Sequence, residues 1–163
     1  MYLFGVQFKN LPVMRLEEAI KQKTPFRSQE EKLVVNILFT CSWMQEQMRL
    51  FLAPFSITMQ QYNVLRILRG QHPRAIALND IRERLLDKMS DVSRLADRLV
   101  KTGWAEKIKD KHDKRLVLIG ITAKGLALLS GIDEYLPNLD HVMQQLSGNE
   151  LFITNQLLDK LRG

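Results

Sequence analysis

The sequence predicts a mainly α fold with a small β-hairpin wing, a winged helix-turn-helix flanked by amphipathic helices at both ends. Three observations predict it. Apolar residues recur at helical spacing from Ser28 to Arg69 and again beyond Thr122. Two strand-like runs, 104–109 and 115–121, are separated only by the polar turn 110–114. The net charge of +6 is confined to residues 66–115, which hold 14 of the 24 Lys/Arg and 8 of the 18 Asp/Glu. A basic segment on an otherwise balanced chain is the electrostatic footprint of a polyanion binder.

Each element has its own signal. Residues 1–13 lack the basic start and long apolar run of a signal peptide and read as an N-terminal extension. From Ser28 to Phe51, the positions Leu33/Val34, Ile37/Leu38, Cys41, Met44, Met48 and Phe51/Leu52 trace the stripe of one long helix. Ser28, Glu30 and Glu31 suit its N-terminus, where acidic groups meet the positive end of the helix dipole. At about 35 Å it is long for a small domain, so it is expected to pack on something beyond that domain. Pro54 ends it.

A second helix runs from Thr58 to Arg69 on Tyr62, Leu65 and Ile67/Leu68, and the loop Gly70 to Arg74 breaks it. A third runs from Asn79, as N-cap, to Leu86. After the turn Asp87 to Met89, a fourth begins at Ser90 and ends near Thr102, where Gly103 supplies a left-handed terminus. Its core positions are Val92, Leu95, Ala96 and Leu99. The hairpin follows. Thr122 then caps a fifth helix carrying Leu126, Leu129, Ile132 and Tyr135/Leu136, which Pro137 kinks or ends. Ser147 and Glu150 have capping-box spacing before a last helix with Leu151, Leu157/Leu158 and Leu161.

The same pattern excludes several classes. No stretch approaches the roughly 20 apolar residues of a membrane helix. The single cysteine, Cys41, makes no internal disulfide, and His72, His112 and His141 are scattered without ligand spacing, so no metal or cofactor is expected. No nucleophile–base grouping, glycine-rich phosphate loop or carboxylate pair stands out, which argues against an enzyme. A reducing, cytoplasmic setting is expected.

The fourth helix is the candidate recognition helix. With Val92 and Leu95 facing the core, Ser90, Asp91, Ser93 and Arg94 point outward. Arg reads guanine in the major groove through two parallel hydrogen bonds, and small hydroxyls suit phosphates and base edges. One turn on, Arg98 and Lys101 reach the phosphate backbone and set register. At the wing, Lys111, His112, Lys114 and Arg115 surround a tight turn that suits a narrow minor groove. Asp113 is the odd residue there; its expected role is to hold Arg115 or the tip backbone.

The run from Asp110 to Gly125 resembles the wing of the MarR family: an Asp-x-Arg at 113–115, alternating aliphatics, then Ile121-Thr122-x-x-Gly125 where the family has Leu-Thr-x-x-Gly. Ser93 to Trp104 resembles that family's recognition helix and its exit turn, with Trp104 in place of the usual Leu. Ile57-Thr58 through Tyr62 and Val64-Leu65 resembles its second helix.

The resemblance implies N- and C-terminal dimerisation helices that hold two winged helices to a palindromic site. The expected division is an N-terminal extension at 1–27, a dimerisation helix at 28–55, the winged helix-turn-helix at 56–125 and C-terminal dimerisation helices at 126–163. The implied function is a homodimeric repressor of double-stranded DNA operators, relieved by a small aromatic effector. Two alternatives stand beside it: a winged-helix module that binds proteins only, and a thiol-based sensor using Cys41. Against the latter, Cys41 sits on the apolar stripe, where a buried thiol is inert.

Overall fold

The computed structural model describes residues 2–3, 6–7, 14–109 and 117–163. The expected turn at 110–114, with Lys111, His112, Asp113, Lys114 and Arg115, lies outside the described residues. The chain divides into two compact units, one running to Thr40 and joined by Leu136–Gly163, the other Cys41–Tyr135.

In the first unit, β1 (Tyr2–Leu3) pairs antiparallel with β2 (Val6–Gln7). A short α1 (Leu16–Ala19) is tied to α2 (Gln29–Leu52) by an ion pair of 2.6 Å between Glu17 and Lys32. Ser28 caps α2 as expected, its Oγ accepting the Glu31 N–H at 3.3 Å. The same unit holds α7 (Leu136–Asp140) and α8 (Gly148–Arg162). The expected capping box of α8 is present: Ser147 Oγ accepts the Glu150 N–H, and the Glu150 carboxylate accepts the Ser147 N–H at 2.8 Å.

The second unit takes in the last turns of α2, then α3 (Met59–Gln71), β3 (Ile76–Ala77), α4 (Leu78–Arg84), α5 (Val92–Lys101), β4 (Ala105–Lys109), β5 (Val117–Ile121) and α6 (Ala123–Asp133). The strands form an antiparallel sheet in the order β3-β5-β4, with Ile76 opposite Ile119 and Ala105 opposite Ile121. The core gathers Phe51 and Leu52 of α2, Val64, Leu65 and Leu68 of α3, Ile81 of α4, Val92, Leu95, Ala96 and Leu99 of α5, and Ile119, Leu129 and Ile132 beyond them. All four expected core positions of α5 are in it. Each fully buried aliphatic contributes about 1.5–3 kcal/mol. Arg69 and Asp133 close the unit with an ion pair of 2.5 Å between α3 and α6.

The structure corrects the reading of several boundaries. Gly70 does not break the second helix, which continues through Gln71; a glycine costs only about 1 kcal/mol there, and Pro73 stops the helix two residues later. Asn79 is not an N-cap. The short strand β3, absent from the sequence reading, keeps the chain extended to Ala77, so α4 starts at Leu78 and Asp80 accepts the Ala77 N–H at 3.2 Å. That helix ends at Arg84, before Leu86, because Leu85 turns inward and is buried. Pro137 neither kinks nor ends α6, which stops at Asp133. It falls instead in the first turn of α7, where its missing N–H is not needed.

The helix α2 departs from expectation at Cys41. Only its C-terminal end, Phe51 and Leu52, is sunk in a core. Leu33, Val34, Leu38, Phe39 and Trp43 are exposed in the single chain, and so is Cys41, which was expected to be buried. A 24-residue helix outruns the unit that buries its end. On α8, Phe152, Ile153, Leu157, Leu158 and Leu161 are exposed as well.

Candidate nucleic-acid interface

The candidate recognition helix α5 starts later than expected because Ser90 is already engaged. The Asp87 carboxylate accepts the Ser90 hydroxyl at 2.8 Å and the Met89 N–H at 3.0 Å, forming a closed turn. These two bonds, the Ser90 hydroxyl first and then the Met89 amide, hold the Asp87 carboxyl below its ordinary range, and the Gln60 side chain adds to them. Asn63 of α3 accepts the Leu86 N–H at 3.0 Å, pinning the front of the same turn. Asp91 therefore becomes the N-cap, its Oδ1 accepting the Arg94 N–H at 3.1 Å.

Val92, Leu95, Ala96 and Leu99 commit one face of α5 to the core. The opposite face carries Asp91, Arg94, Arg98 and Lys101 at spacings of three and four, all exposed. Arg94 is 81% exposed, and its Nε lies 3.2 Å from Asp91 Oδ2. Exposed pairs of this kind are weak, so the guanidinium is held loosely. Arg98 and Lys101 make no ion pair with any described residue. Ser93 is also exposed, whereas the Ser90 hydroxyl is spent on Asp87. Asp97, on the flank, pairs with Lys107 of β4 at 2.6 Å and so ties the helix to the first wing strand.

The exit of α5 is fastened just as closely. Gly103 takes φ +76°, and the Gly103 and Trp104 N–H groups return to the Val100 and Leu99 carbonyls at 3.0 and 2.9 Å. Lys124 donates to the Thr102 carbonyl at 2.8 Å and Thr122 Oγ1 to the Gly103 carbonyl at 2.7 Å. Thr122 Oγ1 also accepts the Gly125 N–H at 3.1 Å, capping α6 as expected, and the Thr122 N–H reaches the Trp104 carbonyl at 3.1 Å. One threonine thus joins the helix exit, the return strand and α6. The sequence reading gave Asn63 and Lys124 no role and Asp87 only a place in the turn; the Asp87-x-x-Ser90 spacing, that of a side chain closing a turn, was the available signal.

A cavity of about 530 Å³ opens beside this site within the same unit. Gln45 and Arg49 of α2, Ile57 and Met59 at the start of α3, and Leu86 and Asp87 of the turn line it. Its size falls in the range of small-molecule sites. Arg49 is already paired bidentately with Glu46, both bonds at 2.7 Å. No cluster of potential metal ligands occurs among the described residues, and no helix there is long and apolar enough to cross a membrane.

Comparison with known proteins places this arrangement. The profile of the MarR family matches residues 55–116, the span from the start of the second helix into the wing. The multiple antibiotic resistance protein MarR of Escherichia coli is 28% identical over 113 residues, which are 68% of this chain and 77% of that protein. A mutant of E. coli MarR, solved in complex with operator DNA, superposes with a TM-score of 0.75 at 24% identity, covering 85% of this chain and 99% of that one. An organohalide-sensing transcriptional regulator, solved with 2,4-dichlorophenol, gives a TM-score of 0.76 at 20% identity and covers 86% of each chain. The profile covers the outward cationic helix just described, and the solved relatives share the fold. The chain is therefore similar to the MarR family of DNA-binding winged-helix transcriptional regulators, in sequence over residues 55–116 and in fold.

Proposed function

We propose that the chain is a homodimeric repressor that grips a palindromic operator with two copies of α5 and the wing, and lets go when a small aromatic ligand enters the cavity beside the turn. The observation that carries the reading is the outward stripe of Arg94, Arg98 and Lys101 on a helix whose other face is locked in the core. In this reading Arg94 and Ser93 meet base edges, and Arg98 and Lys101 meet phosphates. Asp91 aims Arg94, and Ser90 belongs to the turn. Lys111, His112, Lys114 and Arg115 of the wing, with Asp113 holding Arg115, enter the flanking minor groove.

The exposed apolar residues of α2 and α8 support the dimer, since helix faces of large apolar side chains left uncovered in the single chain are suited to association. The cavity supports ligand relief because Leu86, Asp87 and Ser90, which launch α5, form part of its wall. A ligand that binds better to a displaced turn shifts the population away from the DNA-binding form. The dichlorophenol in the related regulator supports an aromatic ligand class.

The test is a duplex selected by the full-length protein from a randomised library, followed by anisotropy titrations. Affinity is expected to fall steeply with salt, the selected site to be palindromic, and a phenol or aromatic acid to release it. Failure to select any duplex would remove the DNA reading; a selected site without two-fold symmetry would remove the dimer.

A further inference from the structure

Leu86 and Met89 are the most exposed large apolar side chains among the described residues, 75% and 93% exposed. Both stand on the five-residue turn that leads into α5. Single exposed apolar residues are ordinary on a protein surface, so the exposure of Met89 alone decides nothing. What sets it apart is the rigidity and the place of its support. Its own N–H is held by Asp87 Oδ1 at 3.0 Å, and the next residue, Ser90, is held by Asp87 Oδ2 at 2.8 Å. Leu86, three residues back, is pinned to Asn63, and Lys88 donates to the Glu83 carbonyl at 2.6 Å. Leu86 has an evident role in the wall of the cavity. Met89 lines no part of it and touches no core.

Met89 lies two residues ahead of the N-cap Asp91 and five ahead of Arg94, at the end of the helix that a helix-turn-helix directs at base edges. Its surface is therefore continuous with the candidate interface. In the major groove the apolar group offered by a base is the thymine C5 methyl; the other edges present donors and acceptors. A long, unbranched thioether reaches and adapts to such a group without demanding one geometry. We infer that Met89 is a specificity-determining residue that packs on a thymine methyl in each half-site. This rests on α5 lying in the major groove. It adds to the polar readout by Arg94 an apolar readout from outside the helix.

The test uses the duplex selected by the full-length protein and replaces each thymine in turn with deoxyuridine, which deletes only the methyl. Wild type should lose about fourfold in affinity at one position per half-site, the worth of burying one methyl group. Met89→Ala should lose a similar factor on the unmodified duplex and become indifferent to deoxyuridine at that position. Met89→Leu should recover most of the loss. The dependence of affinity on salt should not change, because no phosphate contact is removed. If wild type tolerates deoxyuridine everywhere, or if Met89→Ala remains as sensitive as wild type at that position, the inference is overturned while duplex binding still stands. If Met89→Ala instead shifts the sedimentation of the free protein, the residue serves an interface between protein chains, and the inference is again overturned. Selection of no duplex at all overturns both this inference and the reading beneath it.

Discussion

The carbonyl oxygen of Trp104 occupies the space that a side chain on residue 125 would need: a Cβ built on Gly125 would lie 2.2 Å from it. The same carbonyl accepts the Thr122 N–H at 3.1 Å. The Thr-x-x-Gly pattern therefore has a physical meaning here. Thr122 binds the exit of α5 to the start of α6, and Gly125 lets the two backbones approach closely enough for those bonds to form. Because the obstacle is backbone, relief requires α6 to move rather than a rotamer to turn. Gly125→Ala should cost about 1–3 kcal/mol, the usual range for overpacking, measured by urea denaturation. Gly131 faces open space, so Gly131→Ala should be neutral or slightly stabilising. Equal losses at both sites would show that the cost at residue 125 is not steric.

Asp91 and Arg94 make opposite demands on the same carboxylate. As N-cap, Asp91 stabilises α5; as the partner of the Arg94 guanidinium, it competes with the DNA that Arg94 is proposed to bind. The two roles separate by substitution. Asn is as good an N-cap as Asp, so Asp91→Asn should leave the denaturation midpoint unchanged and tighten DNA binding. Asp91→Ala removes the cap and should cost about 1 kcal/mol of stability. Arg94→Ala should leave stability within about 0.5 kcal/mol, since the side chain is exposed, yet cost about 1–3 kcal/mol of specific binding and relax the sequence preference. Unchanged affinity in both Asp91→Asn and Arg94→Ala would remove the pair from the interface.

These two relationships also show what a sequence can disclose. The stripe Val92, Leu95, Ala96 and Leu99 was legible because burial imposes a helical period on residue type. The caps at Thr122 and Ser147, and the helix starts at Ser28 and Thr58, were legible because each rests on a local bond between residues three apart. β3 was not legible: two residues carry no alternation, and Ile76 and Ala77 are strand only because β5 lies beside them. The displaced start of α4 has the same origin, since Ala77 is held by β5, whereas that of α5 is local, Ser90 being held by Asp87 three residues before it. Arg94 was visible as a residue type, but its engagement with Asp91 was visible only as one of several possible pairings. On α2 the apolar stripe was read correctly as apolar, and Cys41 wrongly as buried. Periodicity reports which face wants covering, not whether the same chain covers it.

Asp87 gives a pH-dependent signature of the turn. Its carboxyl is held below the ordinary value of 3.8, first by the Ser90 hydroxyl and then by the Met89 amide. A lowered folded value means that the bonds favour the charged form. Their contribution is complete above the unfolded value and is lost as pH falls through the lower, folded one. An NMR titration should therefore place the Asp87 carboxyl midpoint below 3.8, with the Met89 and Ser90 amide signals moving at the same midpoint. In Ser90→Ala the midpoint should move upward, because the largest of the lowering bonds is gone. A wild-type midpoint at or above the ordinary value would mean that the turn is not closed in solution.

Leu38 stands on the uncovered face of α2. Leu38 is 66% exposed in the single chain, so nothing within that chain requires it to be apolar. A charge placed there should scarcely disturb a monomer, since exposed substitutions away from special features fall within about 0.5 kcal/mol. In a dimer that buries the stripe, the same charge is desolvated without a partner, and association should fail. Sedimentation should find wild type at twice the chain mass and Leu38→Asp at the chain mass or unfolded, with affinity for a palindromic duplex falling toward that for a single half-site. The control is Leu86→Asp. Leu86 is more exposed than Leu38 and lies in the other unit, on the turn before α5. If the stripe is the interface, Leu86→Asp stays dimeric. If both variants dissociate, an added charge is acting on the fold in general, and the exposed stripe of α2 loses its claim as the dimer face.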